Sequence, residues 1–377
     1  MDSISTNSFA GARAALACLA LLWTASGCWR GAGQGSESGD DSDTESDTRD
    51  TSSGSDLDAD SDIDSDADSD IDTDTDTDSD SDTDTSTCTA GTWSGDVLAE
   101  SAADLAALAG HVEIDGELIV TCPECTGLHG VECLERTSEH VSIWNNPELQ
   151  QLDALFSLRD AAAVFVGFNP ELESIAGLSA LEEVYGPLTV ANNDILTSVE
   201  GLESLVEIQG DLNIESNPSL VDLDGLSSLS GQVEEITIWN NPALQNIDGL
   251  SGLGDVPSML LVSGNDSLLH VEGLSGLEWV GWLVQVHDNA SLVDLSGLSD
   301  LAEIGGTLSI HGNGSLAHLG LDSLESIGES YDPDLTISDN QALPTCEAEL
   351  LVEQLQGYGW NGDWSISGND DEGSCGE

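Results

Sequence analysis

Two histidines, His287 and His311, stand 24 residues apart, each followed two positions later by an asparagine. If 24 residues make one turn of a repeating structure, the two imidazoles lie about 5 Å apart on neighbouring turns. That spacing permits a shared metal, with Asp288 close by. A pair of imidazoles with no placed third ligand is also what an ordinary surface carries, so the spacing by itself assigns no metal. His270 and His318 fall in a different column, two turns apart. The same spacing gathers Asp211, Glu215 and Glu235 on one side, and paired carboxylates are the equipment of a glycoside hydrolase. With 73 acidic residues in the chain, such a cluster is expected from composition. A polysaccharide lyase would need a basic proton acceptor, and only Arg136 and Arg159 lie beyond residue 88. No GxSxG, HExxH or phosphate-loop motif is present. The sequence therefore points away from an enzyme, and nothing in it asks for a cofactor.

Cys122 and Cys125 form a CPEC motif, whose sharper readings are a redox dithiol or half a zinc site. No second CxxC accompanies it. Disulfides are the simpler expectation, because the chain begins like an exported protein. Arg13 precedes the short apolar run Ala14 to Trp23, followed by Ala25, Ser26, Gly27 and Cys28. The run is too short to span a bilayer. Small residues directly before a cysteine resemble a bacterial lipobox, which implies cleavage before Cys28 and acylation of that residue. Lipid at Cys28 is then the only expected tie to a membrane. Trp29, which is not an aspartate, makes the outer membrane and its surface the expected destination. Six cysteines remain for bridges: Cys346 is expected to pair with Cys375, and Cys88, Cys122, Cys125 and Cys133 to form two more in an open connectivity.

Charge excludes further classes of partner. The net charge is −68, with five arginines and no lysine in 377 residues. Such a polyanion is repelled by nucleic acid and by anionic lipid. Much of the charge sits in an Asp/Ser/Thr-rich segment that lacks the apolar residues to fold. Self-repulsion extends it into a stalk reaching on the order of 150 Å. Its DTDTDTDSD stretch lacks the glycine and distal glutamate of a calcium loop, so only loose divalent-cation binding is expected there. The expected organisation is a signal peptide over 1–27, a disordered acidic stalk over 28–87 and a folded part over 88–377.

What must position any site in that folded part is a repeat. Asn146, Asn169, Asn193, Asn217, Asn241, Asn265, Asn289, Asn313 and Asn340 recur at a step of 24 through most of the array. Each is followed three residues later by leucine, and the first eight by an aliphatic residue three further on. Before the pivot comes an alternating apolar pair, such as Leu188/Val190, Leu212/Ile214, Ile236/Ile238 or Leu308/Ile310. Alternation over a few residues means a short strand with one face buried. Its recurrence every 24 residues means a coil that stacks on itself. The expected fold is mainly β: a right-handed parallel β-helix or solenoid of about nine coils, capped by short helices. Its N-cap covers 88–133, its repeats 134–343 and its C-cap 344–377. Each pivot amide should bond to neighbouring coils, and its loss should cost about 1–3 kcal/mol. The residue before it (Asn145, Asn192, Asn240, Gly264, Gly312) suits a left-handed kink, with Phe168 the exception. A solenoid displays its chemistry on outward strand positions. Trp144, Phe165, Trp239, His287 and His311 are the candidate ligand-binding residues there, since exposed aromatic rings suit sugars or protein partners.

The consensus LxxIxGxLxIxxNxxLxxLxGLxx resembles the receptor L-domain, a right-handed β-helix related to leucine-rich repeats. An apolar residue stands nine before the pivot (Val184, Ile208, Ile304), with glycine two residues on (Gly186, Gly210, Gly306). The segment from Cys88 also resembles an L-domain start, although the cysteine that pairs in that family is replaced near His111. The resemblance implies a recognition or adhesion role with a protein or glycan ligand. A structural envelope protein is the alternative, and a carbohydrate-active hydrolase the third.

Overall fold

The computed structural model describes residues 88, 89, 91–328 and 334–375. The expected signal peptide, Cys28 and the stalk to residue 87 lie outside the described residues.

Alternating apolar residues form the strands as the periodicity requires. Leu188 and Val190, Leu212 and Ile214, Ile236 and Ile238 are all fully buried. They belong to strands Leu188–Ala191, Leu212–Glu215 and Ile236–Trp239. Each strand pairs in parallel with its counterpart one coil on: Leu188 with Leu212, Leu212 with Ile236, Ile236 with Leu260. Twelve such strands make one long sheet, from Val97–Ala99 to Trp364–Ser367. The chain is a β-solenoid with parallel sheets along its axis.

The other two sides of each coil follow from the rest of the consensus. The apolar residue nine before the pivot is the buried member of a two-residue strand, as in Glu183–Val184, Glu207–Ile208 and Glu303–Ile304. These short strands form a second line of parallel pairing, broken into a six-stranded and a three-stranded sheet. The third side is a single 3-10 turn, as in Asp224–Leu226, Asp248–Leu250 and Glu272–Leu274. Successive turns there lie backbone to backbone. A Cβ on Gly249 would collide with the Leu223 carbonyl oxygen of the preceding coil, which is why glycine stands in this column. Leucines from all three sides fill one continuous core from Val97 to Trp360. No coil could bury its own apolar side without its neighbours.

The caps do more than expected of short helices. Helix Ala102–Ala106, with Ser101 as its N-cap, and helix Thr345–Gly357 are present. The second buries Ala348, Leu351, Val352 and Leu355 on the last coils. Yet the cap segments also contribute three strands to the long sheet: Val97–Ala99, Leu118–Val120 and Trp364–Ser367. Cys346 joins Cys375, as expected. The open connectivity is Cys88 to Cys133 and Cys122 to Cys125. The CPEC cysteines are thus bonded to each other and buried beneath the first coils.

Candidate functional site

What holds the outward face of the long sheet in register is the asparagine column behind it. All nine pivot asparagines are fully buried. Asn217 shows the pattern. Its Oδ1 accepts from the backbone N–H and Nδ2 of Asn193, at 3.1 and 3.3 Å. Its Nδ2 donates to the Val190 carbonyl at 2.9 Å and to Oδ1 of Asn241 at 3.3 Å. Each amide therefore ties three successive coils. The ladder runs one rung beyond the nine: Asn369 accepts from the Asn340 N–H at 3.1 Å and donates to the Ile337 carbonyl at 2.9 Å. At the other end the Cys122 N–H donates to Oδ1 of Asn146. The residue before each pivot takes the left-handed conformation, Asn145, Asn192 and Asn240 among them. Phe168 does the same, at φ 56°, in spite of its bulk. The ladder on either side imposes a geometry that its own side chain disfavours.

Two residues before each pivot, Trp144, Gly167, Ala191, Glu215, Trp239, Ser263, His287, His311 and Ser338 stand in one outward file, each paired with the next. The candidate aromatic residues do not behave alike. Trp239 is 44% exposed in mid-sheet, flanked by Glu215 at 7% and Ser263 at 2%. Its ring stands out of a flat polar bed. Trp144 is half-buried, and its indole N–H has no hydrogen-bond partner. Phe165 is half-buried too, its ring lying across Gly167, where a Cβ would come 2.7 Å from Cζ. The strip is not continuous: four strand steps, about 19 Å, separate the two tryptophans. Trp282 and Trp364, which the spacing did not single out, are also exposed.

Beside Trp239 lies the acidic group. Burial, reinforced by the charge of Glu235, pushes Glu215 up to about 7. Burial also raises Glu235 and Asp211, with further repulsion from Asp211 on Glu235 and from Glu234 on both. Thr237 Oγ1 donates to Glu235 at 3.2 Å, and Asn213 Nδ2 to Thr189 Oγ1 at 3.4 Å. The three carboxylates do share the face, as their columns require. Trp239 has the Glu215 carboxyl and the Ser263 hydroxyl as its register neighbours, with Thr237 and Asn213 two residues back and Glu235 and Asp211 four residues back along the two strands.

Toward the C-terminal end, His287 and His311 stack with centroids 4.5 Å apart and planes 13° from parallel. His287 Nδ1 lies 2.9 Å from Ser263 Oγ and 2.9 Å from Asp288 Oδ2. Burial and the neighbouring His287 lower His311 from its ordinary value. His270 and His318 stay apart from this pair: His270 is 3.4 Å from Asp294, and His318 is 3.4 Å from Glu347.

No protein-family model matches the chain, and a search of curated proteins returned no match.

Proposed function

We propose that the chain is a surface-displayed recognition module whose ligand, a glycan or a protein, lies on the outward face of the long sheet. The observation that carries this reading is Trp239, a large ring left exposed in the middle of a register-locked sheet among almost fully buried polar neighbours. Aromatic rings of this kind supply contact area at little entropic cost and recur as interface anchors. Polar groups beside a flat aromatic surface suit sugar hydroxyls, so a neutral glycan is the ligand class favoured. The repeat consensus resembles the receptor L-domain, whose role in other proteins is recognition. Glycan and protein arrays probed with the exported chain test the reading: reproducible binding to a defined ligand class supports it, and a blank on both leaves the structural-envelope alternative.

Display at the surface rests on the N-terminal sequence. On this reading Cys28 carries the lipid and the outer membrane is the destination. No helix among the described residues is long and apolar enough to cross a bilayer. Mass spectrometry of the membrane fraction is expected to find a diacylated or triacylated N-terminal peptide beginning at Cys28. A free N-terminus downstream of Cys28 would rule the anchor out.

A further inference from the structure

We infer that His287, Asp288 and His311 form a binding site for one divalent transition ion of the zinc class. The three side chains bring one donor atom each to within 4.8 Å of one another, the one such grouping among the described residues. The fold fixes all three. His287 and His311 are register partners on adjacent strands, and Asp288 occupies the left-handed corner directly after His287, at φ 55°. Its carboxylate folds back over the next coil, where Gly312 leaves room for it; a Cβ on Gly312 would collide with Asp288 Oδ1. Ser263 Oγ, 2.9 Å from Nδ1, gives the His287 ring a further contact from the coil before.

The donor set decides the metal. Two imidazoles and a carboxylate are intermediate ligands, suited to zinc, nickel or copper and unlike the all-oxygen sets that calcium and magnesium take. Zinc holds such ligands at about 2.0–2.2 Å, so the donors must close inward from their present separation. Closing on the ion takes a rotation of the two rings out of their stack. An imidazole must be neutral to bind, so affinity for the ion falls at acid pH. The strongly anionic chain also concentrates cations at its surface. Three protein ligands leave one coordination position for water or a ligand oxygen. That position belongs to the face that carries Trp239, but the site does not depend on the recognition reading.

Zinc titration of the exported chain, with excess calcium present to occupy the acidic segments, tests the inference. One zinc per chain is expected, weakened about tenfold or more in His311→Gln and in His287→Gln, and unchanged in His270→Gln. Apo-protein melting temperatures should match the wild type in all three. Zinc affinity unaltered by the double substitution of His287 and His311 would overturn the site. A second measurement needs no variant: the copper(II) electron-spin resonance spectrum of the wild type should show coordination by two nitrogens. Oxygen-only coordination would overturn the site as well.

Discussion

Asn241→Ala is expected to lower the stability of the solenoid by about 3–5 kcal/mol, read as a fall in urea midpoint. The range exceeds the 1–3 kcal/mol expected of one lost partner, because the side chain serves several buried groups at once. Its Oδ1 accepts from the Asn217 N–H at 3.0 Å and from Asn217 Nδ2 at 3.3 Å. Its Nδ2 donates to the Ile214 carbonyl at 2.9 Å and to Oδ1 of Asn265 at 3.3 Å. Alanine leaves the Asn217 N–H without its partner where no water reaches, and takes one bond each from Asn217 Nδ2, the Ile214 carbonyl and Asn265 Oδ1. Asn217 Nδ2 keeps the Val190 carbonyl, and Asn265 Oδ1 keeps the backbone N–H of residue 241. Asn241→Asp does not rescue the position: it keeps the acceptor, loses the donors and adds a buried charge. At Asn369, half-buried on the last rung with no further asparagine to serve, the same truncation costs distinctly less. Equal losses at Asn241 and Asn369 would contradict the ladder as the source of the effect.

Glu215→Gln is expected to stabilise the protein by about 3 kcal/mol at about pH 8 and by almost nothing at about pH 4. Folding raises this carboxyl from 4.5 to about 7, chiefly by burial and then by the charge of Glu235. The folded state binds the proton more tightly than the unfolded one. Its contribution to stability is therefore fully present below about 4.5 and is lost as pH rises through about 7. Asp211 and Glu235 are shifted the same way, so acidification through this range should raise the melting temperature of the wild type. Glutamine keeps the shape and cannot ionise, which flattens the response. A wild-type melting temperature that does not change between these pH values would show that the carboxyl is not desolvated as described.

The difference between what the residues announced and what they concealed has a physical basis. The repeat was legible because every coil solves the same packing problem with the same residue types, so asparagine, leucine and alternating aliphatics recur in phase. Even the two-residue strands were foreshadowed by the apolar position at Val184, Ile208 and Ile304, which only a second buried side explains. Asn369 escaped because its coil is closed by the terminal helix instead of a leucine turn: its spacing from Asn340 is 29, and Glu372 stands where leucine is usual. The signal was nonetheless there, since the ISGN that ends at Asn369 repeats the ISDN that ends at Asn340. The pairing of Cys88 with Cys133 depends on how the first coils stack, which no spacing encodes. Outward positions were legible as a file but not in their exposure. Whether Trp144 or Trp239 stands free depends on the neighbours in the file and on loops beyond it, and those vary from coil to coil. Asp288 was legible as a neighbour of His287; that its carboxylate turns back toward the histidine pair is a property of the left-handed corner.

The central claim, that the sheet face around Trp239 is a recognition surface, is tested most directly by Trp239→Ala in a binding assay run beside a thermal melt. The ring is 44% exposed, so its removal should change the melting temperature far less than Asn241→Ala does, while binding to the array-identified ligand falls by about tenfold or more. A melting temperature lowered as much as by Asn241→Ala would make the ring part of the core. Undiminished ligand binding would contradict the claim outright and put the ligand on another part of the chain.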